Sequence, residues 1–279
     1  MDQPTVGILH PGSMGAAVAA CAATNASEVL WCEPGRSTAS VERAAQFGLT
    51  AVAMLSELLE RSDIVISLCP PAAAEDLARD VAGHRFTGVY VEANAINPER
   101  VQRIARLLES DAVVVDGGVV GSPPVRGKTP TLYLSGPAAA TARIEALFTG
   151  TAVEIRTLGV EVGKASALKL AYASFQKTSR LLVALAVGMA REHGVDQELI
   201  EVASRRTDSY LSEPQYVAKT AARAWRWGPE LEEAADALEF AGLPPEMLRA
   251  AASTLARWHD VKDDGELTPN DALDRLAQP

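Results

Sequence analysis

The chain has 279 residues, of which 48% are hydrophobic and 22% are charged, with 20 glycines and 16 prolines. This apolar content excludes a disordered chain, and the length suits one large domain or two smaller ones. Acidic residues outnumber basic ones by 36 to 26, and the resulting net charge of −10 argues against broad nucleic-acid binding, which needs clustered cations.

The chain carries no sign of a membrane or metal partner. Its longest wholly apolar run, residues 181–190, is about half of the ~20 residues that a membrane-spanning helix needs. The start, MDQP, lacks the cationic and apolar segments of a secretion signal. Three cysteines without CxxC spacing favour buried thiols in a reducing compartment, and the four histidines are scattered. We therefore expect a cytoplasmic protein without a metal site.

The first half of the chain alternates short β-branched apolar runs with alanine-rich helical stretches. Continuous apolar runs suit strands that are covered on both faces, and the β–α alternation predicts a doubly wound parallel sheet. Strands are predicted at residues 5–9, 29–32, 64–68, 89–92, 112–115, 131–135 and 152–155. Helices are predicted at residues 14–26, 40–47, 56–61, 72–81, 98–109 and 138–148.

The second half has no convincing strand after about residue 163. One long helix, residues 165–193, begins an all-helical region. Further helices are predicted at residues 197–204, 213–225, 229–241 and 245–258, with a short one from about residue 268. We assign residues 1–160 to an α/β domain and residues 161–279 to a helical domain. The apolar stretch at 181–189 exceeds what so small a domain buries alone, which predicts a homodimer through this helix.

A glycine-containing turn follows the first predicted strand. Gly12 and Gly15 match the second and third glycines of a dinucleotide fingerprint, where they allow close approach of a pyrophosphate and of the helix. His10 occupies the first glycine position. The start of the helix also attracts phosphates, although small residues equally suit an ordinary strand–turn–helix. The predicted dinucleotide contacts here are His10, Pro11, Gly12, Ser13, Met14 and Gly15.

The second strand ends in CEPGRS, where the adenosine ribose of a dinucleotide lies. Glu33 is suited to the ribose hydroxyls of NAD, whereas Arg36 with Ser37 is suited to the 2′-phosphate of NADP. Because Arg36 lies in a glycine-preceded turn beside a hydroxyl, the sequence favours NADP, with NAD as the alternative. Both residues would also suit a solvated turn.

Four segments together resemble the 6-phosphogluconate dehydrogenase and β-hydroxyacid dehydrogenase superfamily. They are the turn at residues 6–15, IVISLCP at 64–70, DGGVVGS at 116–122 and GKASALK at 163–169. The second half, with KLAY at 169–172 and RAWRW at 223–227, resembles a subgroup with a shortened helical domain. The resemblance implies an NAD(P)-binding Rossmann domain, then a helical domain for substrate and dimerisation. It also implies hydride transfer between a nicotinamide cofactor and a small hydroxy acid or its keto form.

The resemblance makes Lys169 the general acid/base, because a buried lysine can exchange a proton with the substrate oxygen. A snorkelling surface lysine is the alternative. The family has an asparagine four residues later, where this chain has Ala173. Tyr172 and Gln176 share the helical face of Lys169 and are the candidates to supply the missing hydrogen bond, Tyr172 in catalysis and Gln176 in substrate binding.

The substrate, expected to be anionic, is predicted to meet a glycine loop. Gly117, Gly118 and Gly121 fall at the carboxyl end of a predicted strand, where open α/β sheets bind ligands. Val120 stands in the place of the family serine, so Ser122 is the substitute candidate. A tight turn without a ligand is the alternative.

Two further loops complete the predicted site. Leu68, Cys69 and Pro70 are expected to contact the cofactor through their backbone, and Asn94 is expected to contact the nicotinamide or the substrate. Asn is also common in turns that precede a helix. A weaker candidate clamp for a substrate acid group is formed by Arg205, Arg206 and Tyr210.

Two other functions stay open at this point. An imine reductase of the same architecture is the first, although such enzymes typically lack the lysine. A non-catalytic regulator that binds a dinucleotide is the second.

Overall fold

The computed structural model describes residues 3–205, 215–240 and 242–278. The chain divides into two compact units, Met1–Phe175 and Gln176–Pro279. The long helix contributes to both units, so this division falls 15 residues after the boundary expected from the sequence. The assignment of functional domains stays a prediction.

The predicted fold class is confirmed. The first unit is a Rossmann-like sheet in the order β3-β2-β1-β4-β5-β6-β7-β8, and helices follow it. The strands are β1 (Thr5–Ile8), β2 (Glu28–Cys32), β3 (Thr50–Val52), β4 (Ile64–Ser67), β5 (Val89–Glu92), β6 (Val113–Val120), β7 (Thr131–Ser135) and β8 (Glu154–Thr157). The first-unit helices are α1 (Ser13–Ala22), α2 (Thr38–Gln46), α3 (Leu55–Arg61), α4 (Ala74–Gly83), α5 (Pro98–Leu108) and α6 (Ala138–Phe148). A 3-10 turn, Pro71–Ala73, precedes α4.

The remaining helices are α7 (Lys164–Glu192), α8 (Asp196–Ser204), α9 (Tyr216–Phe240), α10 (Glu246–Leu255) and α11 (Pro269–Ala277), with a 3-10 turn at Ala256–Trp258. The sequence predicted two separate helices at 213–225 and 229–241. This prediction was wrong, because α9 is one helix that continues across Pro229. A proline inside a helix costs about 3 kcal/mol. Residues on both sides of it are buried, Ala224 before it and Leu238 after it.

Strands β1 to β6 are all parallel, so their carboxyl ends share one edge of the sheet. The strand order reverses at β1, and ligands of such sheets bind at this switch point. Strand β7 departs from the predicted parallel arrangement by running antiparallel to β6. We call the edge at which β1, β4, β5 and β6 end the carboxyl edge.

Each face of the sheet has its own apolar layer. On one face Ile8, Ile66 and Val91 pack with Val18 of α1 and Ile144 of α6. The other face packs against α3, α4 and α5 through a second cluster of buried residues, including Val65, Tyr90, Val114, Leu58 and Ile104. Successive residues of a strand point to opposite faces of the sheet, and both faces are covered. The strand sequences are therefore continuously apolar. The second unit has a separate cluster around Trp258.

Candidate functional site

The turn between β1 and α1 brings the start of the helix very close to the strand. The Gly12 amide donates to the His10 carbonyl at 2.9 Å, and Gly12 is the N-cap of α1, with no side chain to cover the helix N–H groups. A Cβ atom on Gly15 would lie 2.3 Å from the His10 carbonyl oxygen, so only glycine permits this approach. The first turn of α1, which is fully described, holds no acidic residue. The turn therefore fits a phosphate group, through backbone donors and the positive end of the helix.

Two arginines hold this turn from the side of α2. The Arg36 Nη2 atom donates to the Leu9 carbonyl at 2.9 Å, and its Nη1 atom lies 3.2 Å from His10 Nδ1. The Arg43 Nη1 atom donates to the Pro11 carbonyl at 2.9 Å. We call Arg36 and Arg43 the basic bracket. It fixes the turn and adds two positive charges beside it.

The basic bracket also determines the tautomer and the protonation state of His10. Because a guanidinium only donates, Nδ1 of His10 is the acceptor and the ring proton lies on Nε2. Burial lowers the pKa of His10, and the charges of Arg36 and Arg43 lower it further. A Cβ atom on Gly12 would lie 3.5 Å from His10 Nε2. A neutral His10 therefore presents an N–H donor beside Gly12, where the sequence predicts phosphates.

The predicted ribose residues differ in what they do in this structure. Ser37 is the N-cap of α2, and its hydroxyl accepts a hydrogen bond from the Ser40 amide at 3.3 Å. Glu33 is exposed, and its amide donates to the Val52 carbonyl at 3.2 Å. Ser37 thus has a local structural role, and the cofactor contacts of both residues stay predictions.

Four buried polar side chains form a row across the sheet, one from each of four neighbouring strands. The strand register pairs Ser67 with Glu92, Glu92 with Asp116 and Asp116 with Ser135. All four are 0% exposed. Directly paired residues point to the same face of a sheet, so the four share one face. We call Ser67, Glu92, Asp116 and Ser135 the polar row.

One half of the polar row holds the loop after β4. Glu92 Oε1 accepts hydrogen bonds from the backbone and side-chain amides of Asn94, the former at 3.2 Å. Asn94 Nδ2 donates to Ser67 Oγ at 2.9 Å, and Asn94 Oδ1 accepts from the Cys69 amide at 2.6 Å. Asn94 is 2% exposed. The predicted cofactor contacts Asn94 and Cys69 are thus brought together at the carboxyl edge.

Burial also changes the proton affinities in this half of the row. It raises the pKa of Glu92 to about 7, and the nearby charge of Asp116 contributes in the same direction. The pKa of Tyr90, whose hydroxyl lies 3.5 Å from Glu92 Oε2, is raised well above its usual value by burial and then by Glu92. Burial and the Glu92 charge likewise raise the pKa of the Cys69 thiol.

The other half of the polar row holds the start of α7. Asp116 Oδ2 accepts from the Gly163 amide at 2.9 Å, the Ser166 amide at 3.0 Å and the Ser135 hydroxyl at 3.0 Å. Asp116 Oδ1 accepts from the Ser166 hydroxyl at 2.5 Å. The Ala165 amide donates to Ser135 Oγ at 3.2 Å. Strands β6 and β7 therefore cap the helix that carries Lys169.

Lys169 lies over the last residues of β6. Its half-buried side chain donates from Nζ to the Val119 carbonyl. A Cβ atom on Gly118 would lie 2.7 Å from the Ala165 carbonyl oxygen and 3.1 Å from Lys169 Cβ, so the glycine permits helix and strand to touch. Lys169 and Gly118 are thus in contact, and the interpretation of Lys169 as a general acid/base stays a prediction.

The glycines of the substrate loop lie differently from the prediction. Gly117 and Gly118 are inside β6, where they pair with Leu134 and Tyr133 of β7, instead of following the strand. Gly121 follows the strand with φ of +123°, and Ser122 is exposed. Asp and Gly are rare in strands, which is why the sequence alone indicated a loop here.

The other predicted residues lie along the same edge or on α7. Leu68 approaches α1, because its Cβ lies 3.6 Å from the place that a Cβ of Gly15 would occupy. Tyr172 is 37% exposed and Ala173 is buried, both within the first unit, whereas Gln176 is exposed and begins the second. Pro11 is buried, and Ser13 and Pro70 are exposed. Met14 is partly buried and packs against the apolar layer that contains Ile8 and Val18. Arg206 and Tyr210 lie outside the described residues.

Glu92 and Asp116 were not among the predicted site residues. Glu92 ends an apolar strand and Asp116 interrupts one, and a carboxylate at such a position was the sequence signal that could have identified them.

Among the described residues there is no group of three or more His, Cys, Asp or Glu side chains that could hold a metal ion. Of the described helices, none combines the length and apolarity that a bilayer crossing requires.

Comparison with known families places the first unit in a known group. The family described as the NAD binding domain of 6-phosphogluconate dehydrogenase matches residues 5–159. A domain of unknown function, DUF1932, matches residues 190–258. An uncharacterized 28.5 kDa protein in the 7S RNA 5′ region of Methanothermus fervidus is 29% identical over 175 residues. That match covers 63% of this chain and 66% of the relative, slightly less than two thirds of its length.

Solved structures extend the likeness to nearly the whole chain. A conserved protein described as structurally similar to 3-hydroxyacid dehydrogenases is 25% identical, with a TM-score of 0.59 over 91% of this chain and 98% of that one. An imine reductase from Pseudomonas sp. is 19% identical, with a TM-score of 0.73 over 99% and 100%. A reductive aminase from Aspergillus terreus, in complex with NADPH and ethyl levulinate, is 19% identical, with a TM-score of 0.74 over 98% and 99%. The last two show a common fold.

Proposed function

The chain belongs to the family with the NAD binding domain of 6-phosphogluconate dehydrogenase, and from this premise we propose that it is an NADP-preferring oxidoreductase. Its proposed reaction interconverts a small hydroxy acid and the corresponding keto acid. The observation that carries the proposal is the placement of Lys169 on α7, where its side chain donates to the Val119 carbonyl near the carboxyl end of β6. The turn after β1 lies at the same edge of the sheet, so the proposed acid/base group and the proposed phosphate-binding turn border one edge of a single compact unit.

The residues at this edge fit a dinucleotide. The β1–α1 turn draws the helix close against the strand at Gly15, and it has an uncapped helix start at Gly12 and the His10 donor. The loop after β4, which Asn94 holds through the Cys69 amide, would hold the nicotinamide end. When bound, the cofactor supplies or accepts the hydride.

The proton of the reaction needs a group from the protein. Lys169 would donate a proton from Nζ to the carbonyl oxygen during reduction and would take it back from the hydroxyl during oxidation. Strands β5 and β6 are neighbours, so the loop after β5 and the end of β6, where Lys169 lies, border the same part of the carboxyl edge. Gly121 and Ser122 follow β6 and would seat the acid group of the substrate.

The variant Lys169→Ala tests the proposal. Loss of general acid/base catalysis lowers rates by about 10²- to 10⁴-fold, so we expect turnover of a panel of keto and hydroxy acids to fall in this range. The affinity for NADPH, followed by its fluorescence, is expected to stay within about twofold. Lys164→Ala is the matched control, because Lys164 lies on the same helix with its side chain 51% exposed.

The control is expected to leave turnover unchanged. If the panel reveals a substrate and Lys169→Ala turns it over at the wild-type rate, the assignment of the proton step is wrong. If NADPH binds and no member of the panel changes its absorbance at 340 nm (the band of the reduced nicotinamide), the non-catalytic regulator becomes the better explanation.

The preference for NADP has two supports. Arg36 and Arg43 place two cations beside the predicted phosphate turn, and the reductive aminase of the same fold was solved in complex with NADPH. Glu33, exposed at the end of β2, favours the alternative cofactor NAD. Steady-state rates with both cofactors measure the preference directly, and equal rates contradict it.

An imine reductase is the second candidate, because the imine reductase and the reductive aminase share the fold over nearly the whole chain. Lys169 argues for the hydroxy acid, because a lysine can deliver a proton to a carbonyl oxygen. Incubation with NADPH, a ketone and an amine distinguishes the two. Reduction of imines at rates above those of every keto acid tested would favour this second candidate.

A homodimer and a cytoplasmic location complete the proposal. The dimer rests on the apolar run of residues 181–189 in α7. Light scattering after size exclusion is expected to give twice the chain mass of 29.5 kDa, and a clean species of 29.5 kDa contradicts the dimer.

A further inference from the structure

The carboxylate of Asp116 holds the start of the helix on which Lys169 lies. We propose that Asp116 is a positioning residue for Lys169, which it sets over β6 by fixing the first turn of α7. The inference rests on the proposed function, since it explains how the acid/base group is kept in place.

Asp116 caps α7 from outside the helix. A helix start leaves its first N–H groups without intrahelical partners, and a side chain just before the helix usually serves them. Here Gly163 occupies that place with φ of +114° and has no side chain to offer. The Gly163 and Ser166 amides donate to Asp116, and the Ala165 amide donates to Ser135. The cap is therefore built into the sheet, and it ties the helix to a fixed point.

The distance from this cap to Lys169 is short. Ser166 and Lys169 are three residues apart, so they lie on the same side of the helix. Asp116 and Val119 are three residues apart on β6, and Lys169 donates to the Val119 carbonyl. Gly118, between them, touches Ala165 and Lys169 Cβ. A rotation or shift of the first turn of α7 would thus move Lys169 along β6.

The requirement for a carboxylate follows from the donors. Three of them meet Oδ2, and the Ser166 hydroxyl meets Oδ1. Burying a charge is costly unless it is fully hydrogen-bonded, and here the N-terminal dipole of α7 adds to these four bonds. Asparagine keeps the shape, but its Nδ2 replaces one acceptor by a donor. A displacement of about 1 Å in an acid/base group costs up to about 10²-fold in rate.

The test compares wild type, Asp116→Asn and the control Asn97→Ala. Asn97 caps α5 through the Arg100 amide, so its loss weakens a helix start elsewhere in the same unit. Hydrogen exchange of the Gly163 and Ser166 amides and the ¹⁵N signal of the Lys169 ammonium are followed by NMR. NADPH affinity is followed by fluorescence. In Asp116→Asn we expect exchange to rise about tenfold and the Lys169 signal to move towards that of exposed lysines, with NADPH affinity within twofold.

Asn97→Ala is expected to change none of these three signals. Faster amide exchange in Asp116→Asn with an unmoved Lys169 signal would make Asp116 a structural cap only and overturn the proposal. If Asp116→Asn does not fold, Ser166→Ala removes a single bond to Asp116 and is expected to shift the same lysine signal by a smaller amount. An unmoved signal in that variant also overturns the proposal.

These signals need no substrate. A wild type that fails to bind NADPH contradicts the proposed function, whereas the lysine signal still decides the role of Asp116. If one of the keto or hydroxy acids in the panel is a substrate, Asp116→Asn is expected to lower its kcat by up to about 10²-fold with a smaller change in KM.

Discussion

The basic bracket and the polar row fix loops at the same edge of the sheet with opposite charges. In the bracket, Arg36 and Arg43 donate to backbone carbonyls of the turn after β1, and both side chains are half-buried. In the polar row, Glu92 and Asp116 accept from backbone amides and are 0% exposed. The bracket therefore leaves positive charge near solvent, whereas the row keeps its carboxyl groups inside.

The difference follows from what each loop offers. The turn after β1 presents carbonyls of Leu9 and Pro11, which need donors. The start of α7 presents amides, which need acceptors. The positive charges of the basic bracket also favour the binding of an anion, such as a phosphate, beside the turn. The carboxyl groups of the polar row are buried, so they hold the start of α7 from inside the protein and do not face such an anion. The same edge can thus bind a phosphate although the chain carries a net charge of −10.

Replacing the buried, titratable carboxyl of Glu92 in the polar row is expected to give the largest effect on stability. Burial raises the pKa of Glu92 to about 7, whereas an unfolded glutamate titrates at about 4.3. The native state therefore binds the extra proton between these values. This contribution to the free energy of unfolding is complete below about pH 4.3 and is lost as the pH rises through about 7.

Glu92→Gln removes this titration. We expect wild type to lose about 2 to 3 kcal/mol relative to Glu92→Gln between pH 5 and pH 8, measured by urea denaturation. Glu60→Gln, at an exposed position of α3, is the control and should follow wild type. A constant difference between wild type and Glu92→Gln across this range would mean that the carboxyl titrates at its ordinary pKa.

Gly118→Ala tests the close packing of α7 against β6, which the polar row holds together. The added Cβ would lie 2.7 Å from the Ala165 carbonyl oxygen, so the helix must move, and overpacking of this kind costs about 2 kcal/mol. Gly83→Ala is the matched control, because a Cβ on Gly83 meets nothing within 4 Å. This control should leave the free energy of unfolding unchanged or raise it by up to about 1 kcal/mol. Equal stabilities of the two variants would contradict the close packing.

Replacement of Arg36 separates two roles of the basic bracket and has the smallest expected effect. Loss of a charge-assisted contact with a 2′-phosphate would weaken NADPH binding by about tenfold and NADH binding much less. Arg43→Ala is the comparison, since Arg43 donates to Pro11 and is expected to affect both cofactors equally. Equal weakening of both cofactors in Arg36→Ala would assign Arg36 to the turn alone. Fluorescence titration measures all four affinities.

The sequence predicts the Rossmann fold well because its strands are continuous apolar runs between glycine-punctuated helices. Strand β3, Thr50–Val52, was not predicted because three residues carry too little pattern. The extent of β6 was underestimated because the pairing with β7 overrides the weak strand preference of Gly117 and Gly118. Pro229 suggested a break where α9 is continuous. For β6, contacts between distant residues decide against the local preference.

The residues of the candidate site also divide into those that a local motif predicts and those whose contacts join distant parts of the sequence. Residues that act through spacing along the chain, such as Gly12, Gly15 and Lys169, were predicted from their motifs. The partnership of Asp116 with Gly163 and Ser166 spans about fifty residues of sequence, and no local pattern contains it. Arg36 was interpreted as a phosphate ligand, and its bonds to the turn after β1 depend on how the second strand lies beside the first.

The reversal of β7 leaves the connection between β6 and β7 room to vary in length. Strands β6 and β7 pair from Asp116–Ser135 to Val120–Thr131. The segment 121–129, exposed except for the half-buried Pro123 and Pro124, forms the hairpin tip between them. Insertions in such a tip leave the paired residues in register, so the helix cap stays intact while the tip grows or shrinks. Natural variation and directed evolution can therefore diversify this tip, at residues 121–129, without loss of the fold.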